Sequence, residues 1–177
     1  LAIKFTYSKN PIILTEKTEH NFVQLLEQNQ NIVHKICRLY TNDQDAHNDL
    51  FQEITIQLWK AYPKFRGDAK FSTWMYRVAL NTAITLYRKS KRKVKTQEFE
   101  NVAFKIKAEE YDDTTEKQLS VMYAAIKELN DIDKALVFLY LEDKNYSEIS
   151  DTLGISEVNA RVKMNRIKKK LKSILNP

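Results

Sequence analysis

The sequence predicts an all-α protein of two small helical domains joined by a linker. Only 2 glycines and 3 prolines occur among 177 residues, and so few helix breakers favour mostly helical structure. Apolar residues recur at steps of three and four, which is typical of amphipathic helices. This period is lost in one acidic stretch, so we expect a flexible lead-in over 1–19, a first domain over 20–94, a linker over 95–114 and a second domain over 115–177.

The composition narrows the class of function. A net charge of +6 suggests an anionic partner, without choosing between nucleic acid and membrane. No run of 18 apolar residues occurs and the N-terminus lacks a signal-peptide pattern, which argues against membrane insertion and favours a cytoplasmic location. The single cysteine, Cys37, lies in an apolar helical stripe, where we expect a buried thiol in a reducing compartment.

Two amphipathic helices open the predicted first domain. The first begins at His20 and ends before a polar segment at 41–45. The second is expected over 46–61, with Asp43 or Asp45 as its N-cap. Its inner stripe consists of Leu50, Ile54 and Leu58, and its other side carries Asp49, Gln52, Glu53 and Gln57.

A third helix is predicted over about 73–91, with Ser72 as its N-cap. The residues expected to face inward are Trp74, Met75, Val78, Ala79, Ala83 and Leu86. Its end carries six basic residues and no acid: Arg88, Lys89, Lys91, Arg92, Lys93 and Lys95. Capping of the helix dipole explains part of this cluster, but six cations exceed what a cap needs, and we interpret them as an anion-binding site.

Helices resume near Thr115, after a linker in which 102–108 is a candidate short helix. The next helix has Asp131 or Asp133 as its expected N-cap. The apolar stripes of these two helices are Leu119, Met122, Tyr123, Ile126 and Leu129, then Ala135, Leu136, Leu139 and Tyr140.

The segment 145–174 has the order of a helix-turn-helix. Ser147 is the expected N-cap of a short helix, Gly154 ends it, and Ser156 caps a long basic helix. The inner stripe of the long helix is Ala160, Met164, Ile167, Leu171 and Ile174, and Val158, Arg161, Val162 and Asn165 lie opposite. Seven basic residues and no acid lie between Arg161 and Lys172. This pattern favours DNA binding over its alternative, a solvated amphipathic helix.

The signatures of catalysis and cofactor binding do not occur in the sequence. His20, His34 and His47 do not have metal-ligand spacing with one another or with Cys37. Gly-rich phosphate loops and nucleophile elbows are not found. We therefore expect a binding protein without catalytic residues, metal or cofactor.

Two blocks resemble the sigma-70 family of bacterial RNA polymerase sigma factors. DLFQEITIQLW (49–59) with FRGDAKFSTWMYRVALNTAITLYR (65–88) resembles the second conserved region of that family. The helix-turn-helix resembles the fourth region, and nothing between resembles the third, as in the extracytoplasmic-function (ECF) group. The resemblance implies a dissociable specificity subunit that directs core RNA polymerase to promoters and initiates transcription, with an anti-sigma factor as a possible further partner.

The resemblance also implies three sets of site residues. Those expected to bind core polymerase are Asp49, Gln52, Glu53 and Gln57. Those expected at the promoter −10 element are Phe71, Ser72, Arg77, Asn81, Arg88 and Lys89, with Asn81 as the best base contact and Trp74 favoured as a core residue. Those expected at the −35 element are Ser156, Val158, Arg161, Val162, Lys163, Asn165 and Arg166, with Arg161 and Asn165 as base readers and Lys163 and Arg166 nearer phosphates.

Some residues depart from the family pattern, and two rival functions remain open. Thr55 stands where Phe is common, Thr85 replaces a frequent Asp, and Ser150 stands where Ala is usual. A helix-turn-helix repressor or response regulator explains the C-terminus but not the FRGDAKFSTW block. The second rival is a helical enzyme that acts on nucleic acid. In that case the protein would show turnover, and substitution of one or two carboxylates would abolish it.

Overall fold

A computed structural model describes residues 16–96 and 114–175, and this part of the chain is helical without strands. The predicted all-α class is confirmed. The helices are α1 (Glu16–Tyr40), α2 (Gln44–Ala61), a 3-10 turn (Tyr62–Lys64), α3 (Phe71–Thr96), α4 (Thr114–Lys127), α5 (Asp131–Leu141), α6 (Tyr146–Leu153) and α7 (Glu157–Leu175). In these two segments, no helix is both long enough and apolar enough to cross a membrane.

Two predicted boundaries are corrected. Helix α1 begins at Glu16, four residues before the predicted start at His20. Helix α3 continues to Thr96, into the expected linker. The candidate short helix at 102–108 lies outside the described residues.

Helices α1, α2 and α3 pack on one another around an apolar core. Ile54 and Leu58 of α2 are fully buried, as the stripe predicts, and so is the Cys37 thiol. Burial raises the pKa of Cys37 to about 12, so this thiol is inert at neutral pH. Asp43 is the N-cap of α2, since its carboxylate accepts from the Ala46 amide at 2.7 Å.

The predicted N-cap of α3 is wrong. The helix already includes Phe71, and the Trp74 amide donates to the Lys70 carbonyl at 3.1 Å. Ser72 therefore lies inside the first turn, where its hydroxyl is not at the capping position. In addition, α3 buries Tyr76, Leu80 and Ile84, which the predicted stripe omitted.

Helix α5 is the centre of the second half of the chain. Residues 134–139 are all buried, because α4, α6 and α7 cover one side and α3 covers another. Its N-cap is Asn130, whose side-chain oxygen accepts from the Asp133 amide at 2.9 Å, so the prediction of Asp131 or Asp133 is wrong. Tyr140 was expected in the core but is 39% exposed.

The helix-turn-helix is present, with one corrected cap. Asn145, not Ser147, caps α6 and forms a reciprocal capping box with Glu148. Gly154 follows with φ of 67°, the left-handed conformation that a glycine adopts without strain. Ser156 caps α7 as predicted, since its hydroxyl accepts from the Asn159 amide at 3.2 Å.

Candidate nucleic-acid and polymerase interface

Helix α3 presents one row of polar side chains to solvent. Arg77, Asn81, Thr85 and Arg88 are all exposed, and their steps of four, four and three place them on one helix face. Sequence reasoning missed Thr85 as a member of this row, although its register one turn after Asn81 was visible. The row offers two cations and two small polar side chains, which suits a nucleic-acid strand lying along the helix.

An aromatic cluster lies at the beginning of α3. The rings of Phe65, Phe71 and Trp74 lie 5.1–5.7 Å apart, and Tyr62 packs beside them. All four are half-buried, whereas the adjoining loop 66–70 is exposed. Phe71 and Ser72 thus lie at a partly covered apolar wall, and Trp74 belongs to this wall rather than to the fully buried core.

The basic end of α3 is partly engaged within the protein. Arg88 pairs through its Nε with Asp131 of α5, while Lys89 is exposed. Burial alone raises the pKa of Tyr87, but hydrogen bonds and charge from Lys91 and Lys134 outweigh it and lower that pKa. The sequence revealed the cationic cluster, but it did not reveal that Arg88 pairs with Asp131.

The outer face of α2 divides into two levels of exposure. Asp49 and Gln52 are exposed, whereas Glu53 and Gln57 are half-buried. Gln57 donates to the Glu53 carboxylate at 2.7 Å, so this pair is held in one arrangement. The result is a polar, acidic face opposite the buried side of α2, and a face of this kind suits a protein partner with basic groups.

Helix α7 exposes the residues that were predicted to face outward. Arg161, Asn165 and Arg166 are exposed, and so are two apolar side chains, Val158 at 72% and Val162 at 44%. In the predicted inner stripe of α7, Ala160, Met164 and Ile167 are buried as expected. Leu171 is only half-buried and Ile174 is exposed. A helix with exposed arginine, amide and valine side chains on one face has the functional groups that read base edges in the major groove.

Two tyrosines support the cations of α7. The Arg161 guanidinium lies 4.5 Å from the Tyr146 ring centre, and Lys168 Nζ lies 4.6 Å from that of Tyr140. The two rings are neighbours, 6.3 Å apart. Lys163, by contrast, donates to Asp133 at 3.2 Å, so this predicted phosphate contact is engaged inside the domain.

Two histidines that are 13 residues apart in sequence meet in the structure. His34 Nδ1 and His47 Nε2 are 3.0 Å apart, and the Phe51 ring stacks on His34. Burial, His34 and Arg38 lower the pKa of His47. Within 16–96 and 114–175, no group of three or more potential metal ligands forms.

Comparison with known proteins assigns these two helical units. The family models for Sigma-70 region 2 and Sigma-70, region 4 match residues 25–93 and 119–171. RNA polymerase sigma factor SigZ of Bacillus subtilis is 31% identical over 137 residues, which cover 76% of this chain and 75% of SigZ. The chain belongs to the sigma-70 family. Promoter recognition and transcription initiation are therefore the function of this sigma factor.

Other relatives place the sigma factor in the ECF group. ECF RNA polymerase sigma factor SigM of B. subtilis is 26% identical over 164 residues, covering 86% of this chain and 94% of SigM. The sigma factor RpoE of Bartonella quintana, solved with the anti-sigma factor NepR, superposes with a TM-score of 0.65 at 16% identity, over 91% of this chain and 98% of RpoE. CnrH, solved with the cytosolic domain of CnrY, gives 0.64 at 18% identity over 89% of each chain. These structures share the fold.

Proposed function

We propose that α2 binds core RNA polymerase, that α3 reads and helps to open the −10 element, and that α7 reads the −35 element. The observation that carries the proposal is the pairing of two exposed polar helix faces with the two segments that match sigma regions 2 and 4. Each face lies opposite a buried stripe and is open to solvent, which supports the assignment of its residues to a nucleic-acid partner.

The α3 row has the groups needed at a strand that is being separated. Arg77 and Lys89 attract phosphates, which makes binding salt-dependent. Asn81 lies between the cations and offers an amide to the edge of an unstacked base. The aromatic wall at Phe71 offers a stacking surface, and such a contact is worth roughly 1–3 kcal/mol per base.

The α7 face suits direct reading of duplex DNA. Arg161 and Asn165 lie one turn apart, so they would reach neighbouring base pairs. Val158 and Val162 lie one turn apart as well, and an exposed valine matches the methyl group of thymine. Arg166 lies toward the flank, where a phosphate is the expected partner. Ser156, as the N-cap of α7, would place the helix N-terminus near the DNA backbone.

The same proposal covers the remaining partners and the location. As a specificity subunit, the sigma factor would leave catalysis to the polymerase and would act where the polymerase acts, in the cytoplasm. Both structural neighbours were solved with partner proteins, RpoE with the anti-sigma factor NepR and CnrH with a domain of CnrY. We extend that relation to this chain and propose an anti-sigma factor as a regulatory partner.

Co-elution of the purified chain with bacterial core RNA polymerase on a sizing column tests the proposal. We expect a stoichiometric complex that initiates transcription from selected promoters, and we expect Asp49→Lys to weaken it. Glu27→Lys, which makes the same charge change at an exposed position on α1, is the matched control. Tight duplex binding by the chain alone, without a polymerase complex, would favour the repressor instead. Equal loss in both variants would place the docking face elsewhere.

A further inference from the structure

The Arg161 side chain, the proposed base reader of α7, is restrained by two contacts in the free chain. Its guanidinium carbon lies 4.5 Å from the centre of the Tyr146 ring, and one of its nitrogens lies 3.5 Å from the Glu157 carboxylate. A cation over the face of a tyrosine ring is attracted by the negative electrostatic potential of that face. Arg161 is therefore held beside the beginning of α6.

The Tyr146 ring is itself fixed by its place at the start of α6. Asn145 and Glu148 form a reciprocal capping box around it: the Glu148 amide donates to the Asn145 side-chain oxygen at 2.9 Å, and the Asn145 amide donates to the Glu148 carboxylate at 3.1 Å. The ring is half-buried and packs against the hydrophobic core. Because its backbone is capped and its ring is packed, Tyr146 offers Arg161 a rigid support.

A second tyrosine repeats this arrangement farther along α7. Lys168 follows Arg161 by about two helical turns, and its Nζ lies 4.6 Å from the centre of the Tyr140 ring and donates to the Tyr140 hydroxyl at 3.2 Å. The rings of Tyr140 and Tyr146 are 6.3 Å apart. Two cations of α7 thus lie over a pair of adjoining rings, one from α5 and one from α6.

A rigid support of this kind matters when an arginine reads a base edge. A long arginine side chain samples many rotamers, and fixing it on DNA costs conformational entropy. Guanine is read by two bonds from one planar guanidinium, so the orientation of that plane decides whether both bonds form. A side chain that is already restrained loses less freedom on binding and presents its plane in fewer orientations.

We propose that Tyr146 is a positioning residue for −35 recognition. Its ring orients the Arg161 guanidinium and thereby sets how strictly one base pair of that element is selected. Tyr146 acts through Arg161 and makes no base contact of its own. This inference rests on the proposed function, because it takes Arg161 as a base reader of duplex DNA.

Two substitutions at Tyr146 separate the aromatic face from the bulk of the side chain. Tyr146→Leu keeps an apolar group against the core but removes the face, whereas Tyr146→Phe keeps the face and removes only the hydroxyl. The assay is transcription by the reconstituted holoenzyme from templates with a randomised −35 element, followed by sequencing of the transcribed templates. We expect Tyr146→Leu to relax preference by about 2- to 5-fold at the base position that Arg161→Ala also relaxes, and Tyr146→Phe to keep the original preference. Tyr123→Leu, the same change at a 38% exposed tyrosine of α4, is the matched control and should leave preference unchanged.

The double variant shows whether the two residues act as one unit. In an Arg161→Ala background, Tyr146→Leu should cause no further relaxation at that base position. If Tyr146→Leu weakens every −35 sequence equally, the residue is merely structural; if it sharpens the preference, the ring holds Arg161 away from DNA, and either result overturns the proposal. If Arg161→Ala relaxes one position and Tyr146→Leu does not, only the positioning role is refuted. If Arg161→Ala relaxes no single position, the proposed reading role of Arg161 is refuted together with the positioning role.

Nitrogen-15 relaxation of the free chain gives a readout that does not depend on transcription. The order parameter of Arg161 Nε should fall in Tyr146→Leu and should be retained in Tyr146→Phe. Arg166, an exposed arginine of the same helix, is the internal control, and its Nε should be unaffected in both variants. An unchanged Arg161 order parameter in Tyr146→Leu means that the ring does not restrain the guanidinium. A fall at both arginines means that Tyr146 supports the helix as a whole, and each of these two results contradicts the proposal.

Discussion

Arg161→Ala should change which −35 sequence is read, with little effect on the stability of the protein. In the free chain the Arg161 side chain is 59% exposed, and its guanidinium lies 3.5 Å from the Glu157 carboxylate. This is a long, exposed ion pair, worth about 0–1 kcal/mol. Its position over the half-buried Tyr146 ring adds roughly 0.5–1 kcal/mol, because the cation itself is exposed to solvent. We therefore expect unfolding to become easier by no more than about 1–2 kcal/mol.

The effect on DNA should be larger and confined to one base position. A guanidinium that makes two bonds to a guanine discriminates by about 1–3 kcal/mol, or roughly 5- to 150-fold. The assay is transcription in vitro by the reconstituted holoenzyme from a library with a randomised −35 element, followed by sequencing of the transcribed templates. Preference at one position should relax in Arg161→Ala.

Arg166→Ala is the matched control for this experiment. Arg166 is also an exposed arginine of α7 but lies toward the flank, where we expect a phosphate contact. Its loss should weaken all promoters by a similar factor and reduce the dependence on salt. If Arg161→Ala weakens every sequence equally, the assignment of Arg161 as a base reader is refuted and it becomes a phosphate contact.

Three further predictions concern the fold and the α3 row. Gly154→Ala should cost about 1–2 kcal/mol in urea unfolding through backbone conformation alone, because an added Cβ meets nothing within 4 Å; a loss above about 4 kcal/mol would contradict this. Because the pKa of His47 is lowered in the folded state, the stability of the protein should fall as pH drops through about 6.5, the unfolded pKa. Thermal melts should show a smaller fall for His47→Gln than for His20→Gln. Equal falls in the two variants would exclude His47 as the source of the pH dependence. Asn81→Ala should impair open-complex formation, measured by permanganate footprinting, more than polymerase binding; equal loss of both contradicts a base contact.

Burial on one face is what made most elements predictable from sequence. Helix α2 buries Leu50, Ile54 and Leu58 against α1 and α3, and a single buried face leaves a clear 3.6-residue period. The same reasoning located the outward residues of α7 because their positions follow from the buried stripe. Family resemblance then supplied the roles, which periodicity alone does not contain.

Burial on more than one face is what the sequence did not reveal. Tyr76, Leu80 and Ile84 of α3 are buried beyond the predicted stripe, because α5 and α6 cover a second side of the helix. The partner of Tyr76 is Glu142, 66 residues away, and no local pattern encodes such a pairing. The N-cap of α6 was predicted wrongly for a different reason. Asn145 and Ser147 are both good N-cap residues, and only the three-residue spacing from Asn145 to Glu148 identifies the capping box.

The segment between α3 and α4 limits how far apart the two proposed reading helices can lie. Residues 97–113 span at most about 60 Å when fully extended, at roughly 3.5 Å per residue. That is less than the roughly 85 Å between the centres of the −10 and −35 elements, about 25 base pairs at about 3.4 Å per pair, so the dimensions of the two folded halves must supply the remainder. A polymerase that binds both halves would fix this separation and make the second contact effectively intramolecular. Two individually weak reading helices then suffice for one specific promoter.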